Sequence, residues 1–157
     1  MIGGLVLVLA LLAATSSRAN ILTRDDIQRF EDFGKKEISV AHDIADVERI
    51  TVAYLKEFLI DLLSELNEVH EMISPVYDLV ALDVEMVDPS DERAVIKYLR
   101  LEIDSFLRDV ASDREHINGI VGECSSSEAV AAKAQKILRL FDEATSLVGA
   151  ISKKIGR

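Results

Sequence analysis

Three histidines, one cysteine and an excess of carboxylates are the groups in this sequence that could carry chemistry. His42 has Asp46 one helical turn on, His116 has Asp113 one turn back, and His70 lies within Glu68-Val69-His70-Glu71. A di-iron bundle requires Glu-x-x-His on two helices. The residues three before these histidines are instead Ser39, Asn67 and Asp113. No His-x-x-x-His and no Cys-x-x-Cys-His occurs, so the common zinc-protease and c-type haem signatures are missing. Isolated histidines beside carboxylates on a helix are usually solvated, and no metal site is expected from them.

Asp113 is more informative, because it interrupts an apolar seam that runs Ile96, Leu99, Ile103, Phe106, Val110, Asp113, Ile117, Ile120. A buried acid with a pKa raised by desolvation, paired with His116, is the functional reading. A seam that reaches the wet end of a bundle at this point is the expected one, since Gly119 follows closely. The acidic stretch Asp83, Glu85, Asp88, Asp91, Glu92 fails as an EF-hand, because the fifth and sixth positions from Asp83 are Val87 and Asp88. Cys124 is a lone thiol before Ser125-Ser126-Ser127, where a loop position suits an intermolecular disulfide. It has no base nearby in sequence to make it a nucleophile. No catalytic residue, metal ligand or cofactor is assigned, and the chain is expected not to be an enzyme.

One segment is richer in apolar residues than a single helix face needs. Between Val52 and Leu66 the apolar residues are Val52, Ala53, Tyr54, Leu55, Phe58, Leu59, Ile60, Leu62, Leu63 and Leu66. A helix apolar around much of its girth is central in a bundle, meets a partner chain, or lines a cavity. Tyr54, Leu55, Phe58, Leu59, Leu62 and Leu63 are the expected interaction or ligand-facing surface.

The elements that must position these groups read as helices throughout. Leu55, Leu59, Leu62, Leu66, Val69, Ile73, Val76 and Val80 step by four and three, and the Ile96–Ile120 seam repeats the pattern. Val130, Ala134, Ile137, Phe141, Ala144, Val148, Ile151 and Ile155 carry it a third time. Ser74-Pro75 and Asp88-Pro89 read as helix boundaries, Gly119 and Gly122 as a weakened end, and Gly34 as a further breaker. Ser125 with Glu128 fits a capping box, and Thr23 followed by Asp25 and Asp26 fits a helix start. Helices are therefore expected near 24–33, 37–73, 75–86, 89–119 and 126–155. The last two are near-equal rods on a short loop, so they should pack antiparallel. The spacing predicts an all-α fold, an antiparallel up-and-down bundle of three or four long helices. Whether 24–87 forms one long helix or two is open at this level.

Composition limits the partners. The chain has 157 residues, with 18 Lys and Arg against 28 Asp and Glu, a formal net charge of −10. That balance argues against nucleic acid as a partner. The basic residues Lys133, Lys136, Arg139, Lys153, Lys154 and Arg157 gather in the last helix, which favours docking on the acidic remainder. Residues 1–19 read as a signal peptide: an apolar run from Ile2 to Ala14, then Ser17 and Ala19 at the −3 and −1 positions. The run is too short for a membrane span. Its opening residues hold no Lys or Arg, which leaves an uncleaved anchor as the rival.

The expected product is thus a single helical-bundle domain, 20–157, secreted or periplasmic, with no stable membrane span after cleavage. No Asn-x-Ser/Thr site occurs in it. Seams, apolar surplus and the absence of a catalytic constellation together predict a non-catalytic bundle that acts by protein contact, including self-association. The alternative is a carrier of a fatty acid or similar apolar ligand held between helices.

Overall fold

The computed structural model describes residues 21–45, 53–85, 91–124 and 127–156. Four helices fill them: α1 Arg24–Ala45, α2 Ala53–Glu85, α3 Glu92–Glu123 and α4 Glu128–Lys154, with no strand among the described residues. The expected signal segment and its cleavage site lie outside the described residues. Among the described residues no helix is long and apolar enough to cross a membrane.

The three seams form the core as their spacing requires. Leu59, Leu62, Leu66, Val69, Ile73, Val76 and Val80 on α2 are buried, with Leu99, Ile103, Phe106, Ile117 and Ile120 on α3. Every member of the α4 seam is buried, and α1 adds Ile27, Phe30, Phe33 and Ile44 to the same cluster. Inter-helix contacts fix the directions. Arg24 meets Glu85 and Glu37 meets His70, so α1 and α2 run oppositely. Glu65 with His116 and Met72 beside Asp109 do the same for α2 and α3, and Arg100 with the Ile155 carbonyl and Arg114 with Asp142 for α3 and α4. Asp26 with Lys154 and Asp43 with Lys136 close the ring between α1 and α4. Across the bundle, α2 also packs on α4.

Several expected boundaries are overturned. Gly34 lies inside α1, and Ser74-Pro75 lies inside α2. A helix-interior proline costs about 3 kcal/mol relative to alanine. The flanking Val69, Ile73, Val76 and Val80 each stabilise by about 1.5–3 kcal/mol on burial. The seam wins, and the Ser74 hydroxyl donates to the His70 carbonyl at 2.7 Å just ahead of the proline. Gly119 and Gly122 do not end α3 either, because Ile117 and Ile120 are buried and the helix continues to Glu123. The segment between α1 and α2, 46–52, contains neither Gly nor Pro and lies outside the described residues. Helix α4 begins at Glu128 behind Ser127, whose side chain makes no capping bond. Ser125 lies outside the described residues.

The start of α1 follows its sequence signal. Thr23 N–H and Oγ1–H donate to Asp26 Oδ2 at 2.8 and 3.1 Å, and Lys154 Nζ donates to both carboxylate oxygens at 2.6 and 2.8 Å. Asp26 is thereby buried yet fully bonded. Burial alone would raise its pKa. The bonds from Lys154 and Thr23 outweigh that and hold it below the ordinary 3.8. Just past Lys154, at the C-terminal end of α4, Gly156 takes φ +78, the left-handed conformation that closes a helix, and donates to the Lys153 carbonyl.

Asp26→Ala removes a capping acceptor and strands Lys154, so it should lower unfolding free energy in urea at pH 7 by about 2 kcal/mol. The folded-state pKa lies below the unfolded value, so this contribution exists above about pH 4 and fades as pH falls through the folded pKa. A loss below about 0.5 kcal/mol, typical of an exposed pair, would contradict the assignment.

Candidate functional site

A groove runs between α1 and α2, built by helical periodicity on both sides. Phe30, Gly34, Glu37 and Ala41 share one face of α1, and Leu63, Leu66, His70, Ile73 and Tyr77 share the facing stripe of α2. The groove consists of two adjoining clefts, about 540 and 240 Å³, that have Glu31, Gly34, Glu37 and His70 in common. The rings of Phe30 and Tyr77, tilted at 51° with centroids 5.9 Å apart, wall the smaller cleft. Ile38 stands on the rim of the larger one, 61% exposed. A Cβ added to Gly34 would meet nothing within 4 Å, so this glycine leaves the groove open.

Glu37 is the polar group of this groove. It takes a place in the apolar stripe of α1 between Phe33 and Ile44, and it is buried. Its Oε2 lies 3.1 Å from His70 Nδ1, and its Oε1 has no hydrogen-bond partner. Burial pushes its pKa above the ordinary 4.5, and the facing His70 offsets only part of that rise. Ser74 Oγ lies 3.5 Å from His70 Nε2, the outer limit of a hydrogen bond.

A second buried carboxylate faces α3. Glu65 Oε1 lies 3.5 Å from His116 Nε2, and Oε2 has no partner. Burial raises the Glu65 pKa, His116 opposes the rise, and the carboxylates Glu68, Asp113 and Asp61 add to it. Asp113 does not mark the end of its seam, because Ile117 and Ile120 beyond it are buried. It is half-buried against α2, with its pKa raised by desolvation and then by Asp109, and lowered in part by His116.

The expected site residues separate on the structure. Leu59 and Leu62 are fully buried, and Leu55, Phe58 and Leu63 are partly buried against the core. Among the described members of 52–66 most of the apolar surplus is thus core or packed on it, while Ala53 and Ile60 are exposed and Leu63 and Leu66 reach the groove. The side chain of Tyr54 lies outside the described residues. Cys124 corrects its expected loop position: it caps α3 and is fully buried in the cluster that includes Ile120 and Val130. Burial, with Glu123 adding, raises its thiol pKa. A bond to a second chain would require that end of the bundle to open. His42 is exposed, and its neighbour Asp46 lies outside the described residues. Sequence reasoning missed Glu37, although its signal was present as an acid at an apolar step of α1.

Two measurements follow from burial. Glu37→Gln should stabilise the fold at pH 7–8, with the gain vanishing below about pH 4.5. The sign follows from a folded-state pKa above the unfolded one: wild-type stability falls as pH rises between the two. A variant less stable than wild type at pH 8 would show that the His70 contact outweighs desolvation. The Cys124 thiol should resist an aromatic disulfide reagent in buffer and react fully in denaturant.

Comparison of the chain with family models, with curated proteins and with solved structures found no match.

Proposed function

We propose that the chain is a non-catalytic binding protein, exported through residues 1–19 with cleavage after Ala19. It acts as an up-and-down helical bundle that receives a partner protein in the α1–α2 groove. The observation that carries this reading is the groove itself. It combines exposed Ile38 with Ala41, Leu63 and Leu66 around the buried carboxylate of Glu37. An apolar helix face carrying one hydrogen-bond donor complements such a surface. The apolar patch is open to solvent on one side, which suits a partner's side chains better than a fully enclosed ligand.

A small-ligand carrier is favoured by a different observation. At the start of α3, Arg93, Lys97 and Arg100 border a cleft of about 500 Å³ whose other walls include Ile21, Ile96 and Leu101. An amphiphile with an anionic head fits that combination.

Gly34 supplies the test. Gly34→Ala should fold at least as well as wild type, gaining about 1 kcal/mol from helix propensity, because nothing blocks the added methyl. Gly34→Phe should fold too while filling the groove. Light scattering and crosslinking on the purified protein, and on its complexes from the native fluid, are expected to show association in wild type and Gly34→Ala but not in Gly34→Phe. Association unaffected by Gly34→Phe, or a strict monomer that enriches no partner, would reject the groove. A co-purifying lipid mass in native mass spectrometry would favour the carrier.

A further inference from the structure

Arg93, Lys97 and Arg100 step by four and three along α3, so they share one face near the start of that helix. All three are exposed, and all three line the cleft walled by Ile96 and Leu101 of α3, Ile21 ahead of α1 and Ile155 behind α4. One carboxylate, Glu92, borders the same cleft, so its rim carries three positive charges against one negative. That local excess stands in a chain whose formal net charge is −10. The apolar walls are open to water as well: Ile21 is 49% exposed and Leu101 54%.

The lysines of two other clefts are already taken. Lys36 pairs with Glu143 between α1 and α4, and Lys35 beside the α1–α2 groove pairs with Asp32. Arg93 and Lys97, by contrast, make no ion pair among the described residues. Arg100 is held in place, because its Nη2 donates to the Ile155 carbonyl at 2.9 Å, and its remaining N–H groups are left for another acceptor. That bond also fixes the basic face against the buried Ile155, which walls the cleft. Helix energetics do not favour this arrangement: in the first turn of α3, Arg93 opposes the helix dipole.

We propose that this cleft binds one single-chain amphiphile through a carboxylate head, an inference that rests on the carrier reading of the cleft and not on the α1–α2 groove. Arg93 and Lys97 take the head, since a guanidinium fork matches a carboxylate and an ammonium adds a second donor. Arg100, tied to Ile155, orients the head toward the apolar walls. The alkyl chain then lies over Ile96 and Ile155 and covers the exposed faces of Ile21 and Leu101. The rim's surplus of positive charge answers the anionic head, and the greasy walls answer the tail, so neither half of the ligand alone satisfies the cleft. At about 500 Å³ the cleft falls within the range of about 300–1,000 Å³ that single small ligands occupy.

The test titrates the purified, delipidated protein with sodium dodecanoate below its micelle concentration and follows the heat. One-site binding is expected, with no response to acetate, which lacks the tail, or to dodecyltrimethylammonium, whose head has the wrong sign. The double variant Arg93→Gln, Lys97→Gln should weaken dodecanoate binding by about tenfold or more. Its unfolding midpoint should stay equal to or above that of wild type, because Arg93 works against its helix, so lost folding cannot account for lost binding. Lys56→Gln, an exposed cation on α2, should bind as wild type. No heat with dodecanoate would overturn both this site and the carrier reading. Equal binding by wild type and the double variant would overturn the site alone and leave a carrier whose ligand sits elsewhere. Equal binding of dodecyltrimethylammonium would overturn the role of the basic face. Binding to vesicles of anionic phospholipid without binding to monomeric dodecanoate would also overturn the site, in favour of a membrane surface.

Discussion

Burial of the α2 seam is the interaction on which the rest of the molecule depends. Helix α2 packs on all three others, as α4 does, and its residues from Leu59 to Val80 belong to the single core cluster. That burial carries α2 through Pro75, and the same logic carries α3 through Gly119 and Gly122. It also consumes most of the apolar surplus in 52–66, because a helix with three neighbours needs apolar groups around much of its girth. The surplus marks a central helix first, and what remains for binding is its edge.

That edge explains where polar groups end up. Seams that repeat every three and four residues pack along the middle of each interface, and the flanking positions sit where burial and water compete. Glu65 occupies such a position and Glu37 a step of the α1 stripe itself, each with one oxygen facing a histidine on the neighbouring helix and the other unpartnered. The surroundings then differentiate them. Glu37 looks into an apolar groove, whereas Glu65 looks at two more carboxylates. Identical side chains thus present a lone acceptor in one place and a concentrated negative charge in the other.

The seams, the α3–α4 hairpin and the Thr23–Asp26 start of α1 were legible in the sequence because each rests on contacts within one helix or between near neighbours. Breakers misled where local propensity, about 1 kcal/mol for glycine and about 3 for proline, met larger tertiary burial. The division between α1 and α2 was hidden for the converse reason: the segment 46–52 holds no Gly or Pro to announce it. The carboxylate–histidine pairs were illegible because they join positions 33 and 51 residues apart, and only the register between helices decides which groups face. Cys124 misled through its polar followers: as the C-cap of α3, with its N–H on the Ile120 carbonyl, it is still held against the core.

Register also distributes the charge. Three of the four lysines of α4 are committed to α1, Lys154 on Asp26 and Lys133 and Lys136 on Asp43, while Lys36 of α1 answers Glu143 of α4. Arg114 of α3 turns away from α2 and pairs with Asp142 of α4. The basic last helix therefore neutralises the faces it touches, and it draws cations away from the α2–α3 edge that carries Glu65, Glu68 and Asp113.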